Sequence, residues 1–204
     1  NKDWILDRRS RDRVIPPSVF KDQTQFFQEC LSIFNQSIDL DEILIRFSSL
    51  VKNQFNQFHV SVYLVDLEIE QVQLMSFQTD DEKLKRRIGK VKFPYDLQYG
   101  VIIESLATGK PKYYTLESQD QKFYRSYSKW SKSKSQLIIP ITTGKRPKIP
   151  LGLIVLDYPE ENNPSHKLHE EALVWIIGQF GLALRNILLF DKTNRQSVYF
   201  QKLH

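Results

Sequence analysis

The sequence predicts an α+β fold, in which a central antiparallel sheet of five to six strands carries flanking N- and C-terminal helices. Segments with alternating apolar residues fill the middle of the chain, as half-buried strands require, whereas segments with helical apolar spacing lie at both ends. This order indicates helices packed against a sheet. With 204 residues, of which 41% are hydrophobic, the chain suits one domain with extensions.

Three segments are predicted to form the main helices. Apolar residues recur at helical spacing over residues 22–37. A second helix starts at Asp39, because an acidic residue followed by Glu42 three positions later is typical of a helix N-terminus. Residues 169–192 carry the longest helical pattern, and we expect that helix to be buried on one side.

The strands are predicted from alternation and from the turn residues between them. They cover residues 59–66, 71–78, 90–94, 112–115, 136–142 and 151–157. A short helix over 100–108 precedes Gly109 and Pro111, a combination that is typical of a helix C-terminus. The charged segment 80–89 and the aromatic, basic segment 119–132 are each predicted to be a helix or a loop.

Composition restricts the compartment and the class of protein. The single cysteine, Cys30, cannot form an internal disulfide, so nothing requires an oxidising compartment and we expect a cytoplasmic location. Residues 172–190 are apolar enough to suggest a membrane span. Because Arg185 and Asn186 interrupt this segment, we expect a buried amphipathic helix and no membrane contact.

The net charge of +5 is unevenly distributed, with basic residues concentrated in 83–92 and 110–134. Basic clusters attract phosphate-bearing partners, but solvated surfaces beside a sheet carry the same charges. The sequence has no recognition helix, zinc motif or aromatic RNA-binding signature, so we do not expect nucleic acid as the partner.

No set of catalytic residues is found in the sequence. Gly144 lies in a predicted hairpin turn and lacks the upstream glycine of a phosphate-binding loop. His166 and His169 are three residues apart, but no third metal ligand accompanies them. His59 begins a strand, where a hydrogen-bonded or surface histidine is favoured over a haem ligand. We therefore expect no enzyme activity, no metal and no haem in this chain.

The order of motifs in the middle of the chain resembles that of GAF domains, a family of small-molecule sensors. The motifs are Phe93-Pro94, Gly100 to Pro111, Phe123 to Arg125, Ser135 to Ile141 and Leu151 to Leu156. The resemblance covers about residues 25–192 and implies a GAF-like, PAS-related fold. It implies an N-terminal extension over 1–21, a sensor domain over 22–192 and the start of a signalling helix over 193–204.

Within that family, the same segments resemble the cyclic-nucleotide-binding domains of phosphodiesterases and cyclases. The resemblance implies that the backbone amides of Val101 and Ile102, at a helix N-terminus, bind a phosphate. It implies that Tyr124 packs on the base or ribose. The other implied ligand contacts are Ser61, Phe77, Gln78, Ser128, Ser131 and Ser135. Core packing is the alternative role of the two aromatic residues, and exposure to solvent is that of the three later serines.

Two features of the sequence depart from ligand-binding members of the family. Cyclic-nucleotide GAF domains often carry an Asn-Lys…Phe…Asp-Glu signature, and the matching positions here read Tyr158-Pro159 and 168–170 (Leu-His-Glu). Bilin-binding GAF domains need a cysteine in the pocket region, and Cys30 lies outside it. We therefore expect no bilin. The missing signature counts against a cyclic nucleotide, which nevertheless stays the regulatory ligand that the resemblance implies.

Because residue 1 is asparagine and the only methionine is Met75, we expect the chain to be cut from a longer signalling protein or to be processed. The resemblance implies a homodimer through the N- and C-terminal helices, and control of a C-terminal output domain. The tail resembles the linker that precedes diguanylate cyclase (GGDEF) domains, with a histidine kinase, an adenylate cyclase or a phosphatase as other outputs. The alternative function is a ligand-free GAF module for dimerisation or partner docking.

Overall fold

A six-stranded antiparallel sheet with helices on both faces forms the centre of the molecule, which confirms the predicted α+β class. The computed structural model describes residues 5–6, 14–15, 17–36, 39–88, 91–97, 100–116, 129–143 and 149–201. The helices are α1 (Pro17–Gln36), α2 (Leu40–Gln54), α3 (Glu82–Ile88), α4 (Val101–Thr108) and α5 (His166–Gln201).

The main sheet contains six of the eight described strands. The strands are β1 (Ile5–Leu6), β2 (Val14–Ile15), β3 (His59–Asp66), β4 (Gln71–Thr79), β5 (Lys92–Pro94), β6 (Lys112–Thr115), β7 (Ser135–Thr142) and β8 (Pro150–Tyr158). β1 pairs only with β2, and the others are ordered β5-β4-β3-β8-β7-β6. Each neighbouring pair is antiparallel, so residues opposite each other share a face of the sheet.

The two faces of the main sheet carry separate apolar clusters, because successive side chains of a strand point to opposite faces. One face packs against α1, α2 and α5 through residues such as Val62 and Ile139, and we call it the helix face. The other face packs against α4 through residues such as Tyr63 and Ile138, and we call it the α4 face.

Local signals in the sequence position the helix ends. The Asp39 carboxylate accepts a hydrogen bond from the backbone amide of Glu42 at 2.8 Å, which confirms the predicted start of α2. Gly109 follows α4 with φ of 61°, a left-handed conformation that glycine adopts without steric strain. The predicted end of α4 is therefore also confirmed.

Helix α5 packs one side on the helix face of the sheet. Its buried apolar residues are Leu173, Ile176, Ile177, Phe180, Leu184 and Ile187. Over His166–Asp191 the helix is long and apolar enough to cross a membrane, a test that a core helix also passes. Gly181 lets α5 approach the sheet closely, because a Cβ atom there would meet the carbonyl oxygen of Thr142.

Both terminal helices begin earlier in the chain than the sequence predicts. Helix α1 begins at Pro17 rather than at residue 22, inside the predicted N-terminal extension. Proline is tolerated in the first turn, because the N–H that it lacks has no intrahelical partner there. Helix α5 begins at His166 rather than at residue 169 and continues through Gln201. The small β1–β2 hairpin in the extension was not predicted either.

Candidate functional site

A row of polar side chains crosses five strands on the α4 face, at the edge where β3 and β7 begin. Its members are successive cross-strand partners, and we call them the polar row. They are Tyr114, Gln136, Asp157, His59 and Thr79, on β6, β7, β8, β3 and β4 respectively. The first four are buried, and Asp157 has no exposed surface. Buried polar groups are costly unless they form hydrogen bonds, so the four buried members of the row need partners within the protein or in a bound ligand.

Three members of the polar row form a continuous chain of hydrogen bonds. The Tyr114 hydroxyl donates to Gln136 Oε1, and Gln136 Nε2 donates to Asp157 Oδ1. Each end of the Gln136 amide is therefore engaged, and the donor and acceptor roles are fixed by the chemistry of the groups. This arrangement holds the Asp157 carboxyl group in the interior, bonded to the neighbouring strand β7.

The fourth member, His59, has its two ring nitrogens in different environments. Nε2 lies 3.0 Å from the carbonyl oxygen of Ser131, which can only accept, so Nε2 carries the proton and donates. Nδ1 is buried and has no hydrogen-bond partner in the part of the chain that the structure describes. Burial lowers the pKa of His59, which keeps the ring neutral near pH 7.

The segment 129–134 covers the polar row from the α4 side. It is tied to the sheet at its end, where the amide of Lys134 donates to the carbonyl of Tyr158 at 2.9 Å. Within it, the amide of Ser133 donates to the Ser131 hydroxyl at 3.1 Å, and both serines are buried. On its outer side, the Arg87 guanidinium of α3 lies 4.4 Å from the Trp130 ring centroid.

The next row of the α4 face is less polar and includes two of the predicted ligand residues. Ser61 lies opposite both Phe77 on β4 and Val155 on β8. The Phe77 ring centroid is 5.6 Å from that of His59, so the aromatic ring joins the two rows. Val101 and Ile102, in the first turn of α4, pack into the apolar cluster on this face. The structure therefore brings together Ser61, Phe77, Val101, Ile102 and Ser131 on one face.

Two other predicted ligand residues lie on the opposite side of the sheet. Gln78 is the cross-strand partner of Val60 on the helix face, and its side chain donates to Ser76 Oγ at 3.1 Å. Ser135 donates to the carbonyl of Glu160 at 2.6 Å, also on the helix face. Gln78 and Ser135 lie on the helix face because successive side chains of a strand alternate between faces, and their neighbours Phe77 and Gln136 point to the α4 face. The predicted contacts Tyr124 and Ser128 lie outside the described residues.

A second polar cluster lies on the helix face, where the chain enters α5. The Tyr158 hydroxyl lies 3.1 Å from Nδ1 of His169, and the amide of Gln57 lies 3.4 Å from the same nitrogen. Burial, with a smaller contribution from His166, lowers the pKa of His169 to about 4. The Tyr113 ring stacks on His166 with centroids 4.0 Å apart. This cluster fixes the start of α5 relative to the sheet.

Sequence reasoning missed most of the polar row. The sequence predicts a surface or hydrogen-bonded role for His59, in preference to haem binding, and it places Gln136, Asp157 and Tyr114 in strands without a further role. Each of these polar residues interrupts an otherwise apolar or alternating strand, and such an interruption could have indicated a buried polar site. Their alignment across the sheet depends on strand order and register, which a single sequence does not provide.

Solved GAF domains superpose on most of this chain. For the GAF domain of a phosphoenolpyruvate-protein phosphotransferase from Coxiella burnetii, the TM-score is 0.67 at 14% identity, covering 84% of this chain and 98% of that one. For the corresponding Acinetobacter domain, the TM-score is 0.64 at 15% identity, covering 83% and 97%. The chain has the GAF fold. A phycoerythrobilin-bound GAF domain from a cyanobacterial phytochrome gives a TM-score of 0.63 at 16% identity, covering 83% and 97%.

The GAF fold confirms the resemblance found in the sequence. No protein-family model and no curated protein matches the sequence. At identities below one fifth, as in these structures, the likeness shows the fold and does not identify a ligand.

The lone cysteine of the chain lies away from the α4 face. Cys30 is buried on α1, in the apolar cluster of the helix face. Burial raises the pKa of its thiol to about 12, so the thiol stays protonated and is a weak nucleophile. Its position therefore does not suit covalent attachment of a pigment on the α4 face. Among the described residues, no group of three His, Cys, Asp or Glu side chains could hold a metal ion.

Proposed function

We propose that this GAF domain is a cytoplasmic regulatory sensor that binds a small polar ligand on the α4 face. The observation that carries the proposal is the polar row, in which polar side chains across the sheet are withdrawn from solvent on one face. Small-molecule sites are mostly apolar and contain a few convergent polar groups, as this face does. Apolar packing alone would not require a buried carboxylate beside a buried imidazole.

A cyclic nucleotide, with cyclic AMP as the first candidate, is the ligand we propose. The base would lie along Phe77 and Ser61, where an aromatic ring and a buried hydroxyl adjoin the polar row. The phosphate would lie at the first turn of α4, whose amides at Val101 and Ile102 attract anions. This division keeps the negative phosphate away from the carboxylate of Asp157.

The direct test is a thermal-shift and calorimetric titration of this chain with cyclic AMP, cyclic GMP, cyclic di-GMP and AMP. A ligand that binds only the folded state raises stability by about 2.7 kcal/mol at a hundredfold excess over Kd. We expect a selective shift from a cyclic nucleotide. If none of the four compounds changes the melting temperature, the cyclic-nucleotide proposal is wrong.

Two neighbouring sheet positions provide matched variants for this titration. Ser61→Ala removes a hydroxyl from the α4 face and should weaken binding by about three- to tenfold, the value of one hydrogen bond. Gln78→Ala removes a polar side chain from the helix face and should leave the affinity unchanged. Equal losses in the two variants would show that the ligand does not lie on the α4 face.

We further propose that ligand binding controls a C-terminal output domain through α5. The polar row lies at the edge of the sheet where β8 ends, and the chain enters α5 a few residues later. A ligand that binds one arrangement of this edge more tightly shifts the population toward it. A GGDEF diguanylate cyclase is the first candidate for the output. Measuring diguanylate cyclase activity of the parent protein with and without cyclic AMP tests this assignment.

The second candidate function is a homodimerisation module that needs no ligand. It is favoured by apolar residues on the side of α5 that faces away from the sheet, each between 37% and 55% exposed. They are Val174, Trp175, Leu182, Leu189 and Phe190. Exposed apolar surfaces of this kind mark interaction sites, and a second copy of the chain presents the same helix.

Sedimentation velocity distinguishes the dimerisation function from a monomeric sensor. The double substitution Val174→Glu and Leu182→Glu places two charges on the exposed side of α5 and should convert a dimer to a monomer. Ile69→Glu is the matched control, because Ile69 is 60% exposed in the β3–β4 turn, away from α5. A wild-type chain that sediments as a monomer would exclude this second function for the chain.

A further inference from the structure

We propose that His59 determines the specificity of the α4-face site by accepting, at Nδ1, a hydrogen bond from an N–H group of the ligand. The site would therefore select ligands that present an amine, amidine or amide edge. This inference rests on the proposed function, because it describes the chemistry of the same site, but it is carried by a different observation.

The hydrogen bond to Ser131 fixes the tautomer of His59. The Ser131 carbonyl accepts from Nε2 at 3.0 Å, so the single proton of the neutral ring is on Nε2. Nδ1 therefore presents a lone pair. Only a hydrogen-bond donor can bond to this lone pair. A ligand carbonyl or phosphate oxygen at this position would be repelled, because both atoms are acceptors.

His59 is buried, and this makes an unbonded Nδ1 costly. The residue is 2% exposed, and Nδ1 has no partner among the residues that the structure describes. A buried acceptor without a donor is costly, because it loses its hydrogen bond to water and gains none from the protein. A ligand that supplies the donor recovers this loss, so it gains affinity over an otherwise identical ligand that lacks the donor.

The neighbouring residues give the site its shape. The ring centroids of Phe58 and Phe77 are 4.2 Å and 5.6 Å from that of His59. A flat ligand on Phe77 would bring its edge toward the imidazole, in the geometry that aromatic stacking favours. The ligand class is therefore a planar heterocycle with an exocyclic or ring N–H donor.

Nitrogen-15 NMR of the histidine side chains tests this proposal directly. The sequence contains only four histidines, so the imidazole resonances can be assigned by substitution. The probes are 2-aminopyridine and 2-methylpyridine at millimolar concentration and about pH 8, where histidine is neutral. They have nearly the same shape, and only the first has an N–H donor. We expect 2-aminopyridine to shift the Nδ1 resonance of His59 and 2-methylpyridine to leave it unchanged.

His169 is the internal control for the NMR experiment. Its Nδ1 lies within 3.1 Å of the Tyr158 hydroxyl, on the helix face, so its resonance should not respond to either fragment. His59→Phe keeps an aromatic ring beside Phe77 and should abolish the preference for 2-aminopyridine. The wild-type spectra decide the question even where this variant does not fold.

Four results would overturn the proposal: a proton on Nδ1 in the free protein, equal shifts from the two fragments, no shift from either, or an Nδ1 already bonded in the free protein and unmoved by the fragments. None of them alters the outcome of the thermal-shift titration with nucleotides. Conversely, a titration without any response, together with a selective shift from 2-aminopyridine, would reject the nucleotide and retain the role of His59.

Discussion

Tyr113 and Tyr114, neighbours on β6, place their hydroxyls on opposite faces of the sheet, and both contact β7. On the α4 face, the Tyr114 hydroxyl donates to Gln136 in the polar row. On the helix face, the Tyr113 hydroxyl lies 2.8 Å from that of Ser135, which donates to the Glu160 carbonyl ahead of α5. The two tyrosines therefore connect β6 to the polar row on one face and to the entry of α5 on the other.

Tyr113→Phe should loosen the entry to α5. The Tyr113 hydroxyl accepts from the amide of Asn163 at 2.9 Å and donates to the carbonyl of Glu161 at 3.0 Å. Removing it leaves these part-exposed groups to water, so we expect the free energy of unfolding to fall by about 0.5–1.5 kcal/mol. Urea denaturation measures this loss, and hydrogen exchange at the Asn163 amide should become faster.

Tyr114→Phe is the matched control, because it removes the same group from the other face of β6. We expect it to change ligand affinity through the polar row and to leave exchange at the Asn163 amide unchanged. If both variants accelerate that exchange equally, the two faces of β6 do not act separately.

Two glycines of α5, three residues apart, should respond to alanine in opposite directions. A Cβ atom at Gly181 would meet the backbone carbonyl of Thr142, so Gly181→Ala should lower the free energy of unfolding by about 1–3 kcal/mol through overpacking. At Gly178 no atom lies within 4 Å of such a Cβ, so Gly178→Ala should raise it by about 0.5–1 kcal/mol. Thermal denaturation of both variants checks the signs, and stabilisation by Gly181→Ala would contradict the close approach of α5 to β7.

The fold was largely predictable because periodic signals survive in a single sequence. The alternation in β3 and β4, the cap at Asp39 and the stop at Gly109 are local, and each is found where predicted. The ends of the terminal helices were less predictable. A proline breaks a helix in its interior but is tolerated in its first turn. The sequence alone does not show which of these positions Pro17 occupies, and the structure places it in the first turn of α1.

The candidate site was less predictable because it depends on which face each strand residue occupies. Ser61 and Phe77 were assigned together and lie opposite each other. Gln78 and Ser135 were assigned to the same ligand but lie on the other face, because a shift of one residue along a strand reverses the side chain. The hydrogen bonds of the polar row join strands more than 20 residues apart in sequence, and no local pattern reports them.

A hydroxyl chain between α2 and β4 should show strong coupling in a double-mutant cycle. Ser48 donates to the carbonyl of Ile45 at 3.1 Å, so the Ser76 hydroxyl at 2.8 Å donates to Ser48 and in turn accepts from Gln78. Both serines are buried. Ser48→Ala and Ser76→Ala each leave a buried hydroxyl without its hydrogen-bond partner. Each should lower the free energy of unfolding by about 1–3 kcal/mol.

The double variant should cost less than the sum of the two, with a coupling of about 0.5–3 kcal/mol. Equilibrium urea denaturation of the four proteins in the cycle provides the comparison. Strict additivity would show that Ser48 and Ser76 do not share a hydrogen bond.

Stability should fall as the pH decreases from about 6.5 to about 4, because the half-buried His169 stays neutral in the folded chain. The side-chain nitrogen of Gln57 can only donate, so Nδ1 of His169 is an acceptor there, and the pKa of His169 is lowered to about 4. In the unfolded chain histidine titrates near pH 6.5. Between these values the unfolded state binds more protons than the folded state, so the free energy of unfolding decreases as protons are added. His59, whose pKa burial also lowers, contributes in the same direction.

Urea denaturation between about pH 5.5 and pH 7.5 measures this dependence in a range where few carboxylates titrate. His169→Gln retains an acceptor for the Tyr158 hydroxyl and cannot be protonated, so it should reduce the slope of unfolding free energy against pH. Part of the slope should persist in this variant and disappear when His59→Gln is added. A wild-type chain whose stability is constant over this range would show that neither imidazole is held neutral by burial.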